Sequence, residues 1–211
     1  MLRNPKGLNA RTALVTGSGQ GIGLAIARAL AERGARVVLN DVVPATLSGA
    51  VAALQDAGGE ALGVLGDVSS TADVTRMVQE AVERFGGIDL LVNNAGIGSR
   101  SFAVDEMSDE LWQKMIAVHL TGTFKVTRAV VPLMKAKGGG RVVNLSSNAG
   151  QWGDVDYCHY SAAKAGILGL TKALARELAP FKIAVNAVAP GIIQTEILSV
   201  QPKEVLAAKE A

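Results

Sequence analysis

The chain has 211 residues, enough for one domain with a sizeable core. Hydrophobic residues make up 49%, which excludes a disordered chain, and a net charge of +2 without a basic block or stripe argues against nucleic-acid binding. The single cysteine, Cys158, excludes an internal disulfide.

The N-terminal stretch "MLRNPKGLNARTALVTG" lacks the apolar core of a signal peptide. No apolar run of about 20 residues is present, so no membrane span is expected. The expected setting is cytoplasmic, in keeping with a lone cysteine.

Short apolar runs alternate with helical patterns. Residues 12–17 (TALVTG) read as a buried strand and 23–34 as a helix closed by a glycine. A second strand, 36–41 (RVVLND), precedes a helix opening at Pro44. A third strand at 60–68 leads to a helix at 71–87, and a fourth strand follows at 88–96. The polar tract 97–110 reads as a loop into a long helix, 108–137. A fifth strand at 140–147, a helix from about Tyr157 to Leu178, and a sixth strand at 181–191 complete the pattern.

Strands separated by helices pair in parallel through right-handed crossovers. Their near-continuous apolar character fits a sheet covered on both faces. The expected class is α/β, doubly wound, in a single domain.

The segment "TGSGQGIG" lies between the first strand and first helix. Gly17 would turn the chain off the strand, Gly21 would let a phosphate approach the backbone, and Gly23 would allow close helix–strand packing. The helix N-terminus offers unpaired N–H groups to an anion. An ordinary tight turn is the alternative for the same glycines. Ser18, Gln20 and Ile22 complete the loop's candidate cofactor contacts, and none carries a charge. Asp41 ends the second strand, where an acid accepts hydrogen bonds from ribose hydroxyls and repels a 2′-phosphate. Both features favour NAD over NADP. A solvated helix cap before Pro44 is a compatible reading of Asp41.

With "TGSGQGIG", "GDV", "NNAG", "YSAAK" and "PGIIQT" in this order, the sequence resembles the short-chain dehydrogenase/reductase family over nearly its whole length. The resemblance implies a Rossmann-like domain over 1–211, with 1–10 as an N-terminal extension and 192–211 as a partial substrate loop. It implies adenine contacts at Asp67 and Val68, ribose contacts at Asn94 and Gly96, and a sheet brace at Asn93. It places the nicotinamide carboxamide at Ile193 and Thr195. It also implies a catalytic serine at the end of the fifth strand, with the spacing matching Ser147 rather than Ser146. Family members usually continue for a further helix and seventh strand, so the expected sheet lacks that strand.

Tyr160 and Lys164 are four apart on a helix and share a face. An ammonium beside a phenol favours the phenolate, so the expected Tyr160 pKa lies below its usual value. The phenol would then exchange a proton with a substrate oxygen, Ser147 would polarise the carbonyl, and the nicotinamide would exchange hydride. An amphipathic face with a snorkelling lysine is the bland alternative. Tyr157 has Ser161 four residues on, which supplies no charge, so it is expected to line the substrate side or the loop over it. Cys158 and His159 are adjacent with no further ligand cluster, which argues for packing and against a metal.

His119 stands where the family usually has an asparagine that holds a relay water behind the lysine. A histidine can donate and accept, so a relay role and a packed histidine both stay open. The helix from Tyr157 is apolar around much of its circumference, which suits a homodimer or homotetramer built on helix–helix contacts. The function expected is an NAD-dependent oxidoreductase acting on an alcohol or its carbonyl. A cofactor-binding module without turnover is the alternative class, and a 3-oxoacyl thioester reductase the alternative substrate subgroup. An epimerase or dehydratase would usually carry a longer substrate domain.

Overall fold

The computed structural model describes residues 7–193. Six parallel strands form one sheet in the order β3-β2-β1-β4-β5-β6. They are β1 (Thr12–Thr16), β2 (Arg36–Asp41), β3 (Ala61–Leu65), β4 (Leu90–Asn93), β5 (Gly140–Leu145) and β6 (Ile183–Val188). The order reverses between β1 and β4, which opens a crevice at the C-terminal strand ends.

The connecting helices are α1 (Gly21–Glu32), α2 (Pro44–Asp56), α3 (Thr71–Phe85), α4 (Asp109–Ile116), α5 (Gly122–Lys137), α6 (Ala149–Trp152) and α7 (Cys158–Leu178). Local chemistry sets their ends. The Ser70 and Ser108 side chains cap α3 and α4 by accepting from Asp73 N and Leu111 N. Gly86 and Gly138 close α3 and α5 in the left-handed region.

Alternate strand residues feed two cores, as the period of two requires. Leu14 and Val38 pack with Met77, Val130 and Met134 of α3 and α5. Ala13, Val15 and Leu39 pack with Ala27, Leu47 and Leu54 of α1 and α2. The doubly wound architecture thus follows directly from the apolar strands.

A polar chain interrupts the apolar sheet. Asn93 Nδ2 donates to Thr127 Oγ1 at 2.9 Å and to Asn144 Oδ1 at 2.8 Å. Asn144 Nδ2 donates to Thr171 Oγ1 at 2.9 Å. This chain links α5 to α7 across β4 and β5. All four residues are buried, so each bond is made away from competing water.

Several boundaries differ from the sequence reading. The first helix begins at Gly21, inside the glycine loop. The long helix is interrupted by one π turn, Ala117–Thr121. The short helix α6 follows β5 where only a connection was expected.

Candidate active site

The site is assembled at the C-terminal ends of β1, β4 and β5 and on the first turns of α7. Gly17 and Gly21 have φ of 60° and 56°, a region that disfavours side chains. A Cβ on Gly17 would lie 2.7 Å from Ala95 Cα, so the β1 and β4 loops meet without room for one. Asn94 Nδ2 fastens them, donating to the Gly17 carbonyl at 2.8 Å and the Thr16 carbonyl at 3.0 Å. A Cβ on Gly23 would lie 2.2 Å from the Gly17 carbonyl oxygen, which explains that glycine by packing.

No side chain caps the N-terminus of α1 at Gln20, in contrast to α3 and α4. An uncapped helix start behind a glycine loop suits an anionic group, so these residues fit a dinucleotide pyrophosphate. Ser18 does not offer a donor to it. Its N–H donates to the Asn40 carbonyl at 2.9 Å, and its hydroxyl donates to the Val15 carbonyl at 2.8 Å. Ser18 therefore shapes the loop from within.

Asp41 Oδ2 accepts from Gly19 N at 2.9 Å, and Oδ1 accepts from Val42 N at 2.8 Å and Val43 N at 3.1 Å. The carboxylate thus ties the glycine loop to the end of β2 and also caps the turn before α2. Asp67 Oδ1 accepts from Ser69 N at 2.7 Å. Val68 is buried, and a Cβ on Gly122 would lie 2.7 Å from its Cγ2. The Val68 side chain therefore packs against the long helix, leaving Asp67 as the hydrogen-bonding side chain of the pair. Ile193 is exposed. Thr195 lies outside the described residues.

Ser147, Tyr160 and Lys164 come together. The Ser147 side chain lies beside the Tyr160 phenol, and its hydroxyl donates to Asn148 Oδ1 at 3.2 Å and accepts from Ala149 N at 3.2 Å. Ser146 turns away and donates to the Lys164 carbonyl at 2.8 Å. Lys164 is buried, and its Nζ lies 5.6 Å from the Tyr160 ring centroid. Nζ donates to the Leu145 carbonyl at 2.7 Å, fixing the ammonium at the end of β5.

The electrostatics differ from the sequence expectation for Tyr160. Burial raises its pKa above the usual phenol value, the nearby Ser147 hydroxyl opposes this, and Tyr157 and Asp154 add to the rise. Burial also pushes the Lys164 ammonium down to about 8. Desolvation is the largest of these causes, and two rings pack on the phenol. His119 lies edge-on to it, with centroids 5.3 Å apart and planes at 89°.

His119 sits in the π turn and is 1% exposed, too enclosed to reach solvent. Its Nε2 lies 3.1 Å from Ile97 N and 3.0 Å from Ile97 O. Burial, with a further push from Lys164, lowers its pKa to about 3, so the ring is neutral. A Cβ on Gly96 would lie 2.5 Å from His119 Cε1, so the loop after β4 rests on the imidazole.

Two further side chains fasten that loop: Tyr157, expected at the substrate side or the loop over it, and His159, expected only to pack. The Tyr157 hydroxyl donates to the Ser99 carbonyl. His159 Nε2 lies 2.7 Å from Ser99 Oγ. The signal in the sequence was the density of rings in "YCHY" just before the lysine.

The glycine loop, the crevice and the Ser147–Tyr160–Lys164 cluster together define a nucleotide-binding oxidoreductase site. Residues 11–205 match the short chain dehydrogenase family. The chain belongs to that family and is an oxidoreductase of the Rossmann-fold, nucleotide-binding type. It is 45% identical over 191 residues to a 3-oxoacyl-[acyl-carrier-protein] reductase of Synechocystis, covering 90% of this chain and 77% of that protein. A solved structure of an actinorhodin polyketide ketoreductase variant with NADPH shares 44% identity and a TM-score of 0.87, over 90% of this chain and 74% of that one. NAD+-bound xylitol dehydrogenase shares 38% identity and a TM-score of 0.86, over 88% and 72%. Among the described residues, no helix is long and apolar enough to cross a membrane.

Proposed function

We propose that the protein reduces a small-molecule carbonyl to an alcohol with Tyr160 as the proton donor. The observation that carries this is the convergence of Ser147 and Lys164 on the half-buried Tyr160 phenol, whose pKa desolvation shifts upward. A protonated phenol is an acid, which suits reduction. Ser147 holds the carbonyl oxygen and polarises it. Tyr160 then gives that oxygen its proton. Lys164 keeps a positive charge beside the phenol and stabilises the phenolate that results.

The nicotinamide, when bound, supplies the hydride to the carbonyl carbon. Gly17, Gly21 and the α1 N-terminus would hold its pyrophosphate, Asp41 the adenosine ribose, Asp67 and the Val68 backbone the adenine, and Asn94 and Gly96 the second ribose. Gln20, Ile22, Ile193 and Thr195 would complete the cofactor contacts. Asp41 supports NAD over NADP, because its carboxylate is held at the loop by three backbone N–H groups and repels a 2′-phosphate. A positioning role for His119 is supported by its Nε2, which is engaged with the Ile97 backbone.

The 45%-identical 3-oxoacyl-[acyl-carrier-protein] reductase supports 3-oxo compounds as the first substrates to try. The outward Ala165, Gly169 and Ala173 of α7, with exposed Phe124 of α5, support a homodimer or homotetramer built on these helices. The test is NADH oxidation across a panel of 3-oxo thioesters, ketones and keto sugars. Turnover that disappears in Tyr160→Phe is expected. Cofactor binding without turnover on any member would instead favour a binding module.

A further inference from the structure

The chain contains two histidines, and both are buried, His119 against Tyr160 and His159 against Tyr157. They come from different elements, the π turn and the first turn of α7. Each directs its Nε2 to the same loop, at residues two apart. His119 meets the Ile97 backbone, and His159 meets Ser99 Oγ. His119 Nδ1 has no hydrogen-bond partner among the described residues, so Ile97 is that ring's single polar anchor.

The loop itself has no regular structure from Asn94 to Ala103. Its place therefore depends on side chains that bond its backbone. Around it the rings form a continuous series. His119 is edge-on to Tyr160, Tyr160 lies 5.8 Å from Tyr157, and Tyr157 lies 5.3 Å from His159. The Tyr157 hydroxyl adds a third grip on the loop at the Ser99 carbonyl.

We propose that His119 and His159 are positioning residues that clamp the loop 95–99 from two sides, so that the loop and the Tyr160 phenol keep one fixed relation. The functional consequence rests on the reading of Tyr160 as proton donor; the clamp itself does not. The loop carries Gly96 beside the proposed cofactor ribose and leads into the segment bonded to the approach to α7, where Phe102 N donates to the Asp156 carbonyl at 2.7 Å. Loosening either histidine would shift cofactor and phenol relative to one another. Misplacement of about 1 Å in such a site costs up to ~100-fold in rate.

Glutamine places its amide where Nε2 sits, whereas asparagine reaches only as far as Nδ1. The test compares Ala, Asn and Gln at each position, reading amide hydrogen exchange over residues 95–100 and steady-state kinetics with NADH and a turned-over 3-oxo substrate. In His119→Ala and His159→Ala, exchange in this loop should accelerate at least about tenfold while β1 stays protected. The value of kcat should fall about tenfold or more, with less change in carbonyl KM. Gln should restore both readouts and Asn should not. The double alanine variant should lose little beyond the worse single one, because both act on one loop. Unchanged exchange in the alanine variants, rescue by Asn equal to that by Gln, or fully independent losses would each overturn the clamp. Absence of turnover in the wild type would overturn the proposed function, and the exchange comparison would still decide the clamp.

Discussion

Tyr157 and Tyr160 stand with ring centroids 5.8 Å apart and planes at 75°, yet their hydroxyls serve different partners. Tyr157 donates to the Ser99 carbonyl, and the Tyr160 hydroxyl is turned to the Ser147 side chain. One phenol is spent on holding a loop, and the other faces the serine at the end of β5. Replacing Tyr160 by Phe should lower kcat at least ~100-fold, the low end for loss of a general acid. Tyr157→Phe should leave most of kcat and destabilise the protein by about 1 kcal/mol through one lost hydrogen bond. Paired kinetics and urea denaturation check both. Equal kinetic losses would contradict the division of labour.

Lys164 carries a second expectation. Its ammonium is pushed down to about 8 by burial, so it is charged below that value and neutral above it. Reduction should therefore slow as pH rises through about 8, when the charge that stabilises the phenolate is lost. Lys164→Arg keeps its charge throughout and should remove this alkaline limb, whatever its absolute rate. A kcat/KM profile from pH 6 to 10, with the same limb in both proteins, would assign it elsewhere.

Asp41 is the basis for expecting NAD. Asp41→Asn removes the charge while an amide oxygen can still accept from Gly19 N. The ratio of kcat/KM for NADH over NADPH should fall by about tenfold or more, roughly one unit-charge interaction near the surface. Asp41→Ala should narrow it too, with looser loop packing as an added effect. An unchanged ratio in both variants would sink the assignment.

At the opposite end of the sheet, Asp89 accepts from Thr12 N at 2.9 Å and pairs with Arg11 at 3.0 Å and Lys137 at 2.6 Å. Burial alone would raise its pKa, but bonds from Lys137, Thr12 N and Arg11 outweigh it and hold the carboxyl below its usual value. The unfolded chain then takes up the proton first as pH falls, so the stabilisation is full above about pH 4 and fades below it. Asp89→Asn should cost about 1–3 kcal/mol at pH 7. The gap from wild type in urea midpoints should close on acidification below pH ~4. A gap that persists unchanged at pH 3 would refute the ionic contribution.

The sheet and its helices were legible because strands such as β1 are apolar throughout and glycines mark the turns around them. The pairing of Tyr160 with Lys164 was legible from spacing, since a helix puts residues four apart on one face, whereas Ser147 was legible only through the family resemblance. The π turn was not. It inserts one residue into a pattern whose apolar spacing hardly changes, so nothing in 108–137 announced it. The engagement of both Ser18 donors was hidden for a related reason, because loop polarity does not reveal which groups a neighbouring strand has already claimed. The upward shift of Tyr160 was missed because desolvation leads it, and one of the two rings packed on the phenol, His119, lies about forty residues away in sequence. Asn144 had a readable signal, a polar residue inside the apolar run "RVVNL", but its partner Asn93 lies on another strand.

The bonded series Thr127–Asn93–Asn144–Thr171 behaves as a gauge block between two helices. It sets the spacing of α5 and α7 by four short polar side chains rather than by deformable apolar ones. The π turn with His119 adjoins one of those helices, and Tyr160 and Lys164 ride on the other. Pressure applied to the outer surface of either helix, by a second subunit for instance, would reach Tyr160, the proposed proton donor, as a whole-body displacement. Tuning of the chemistry from outside is thereby confined to small rigid shifts, and a contact there has leverage on the site without touching it.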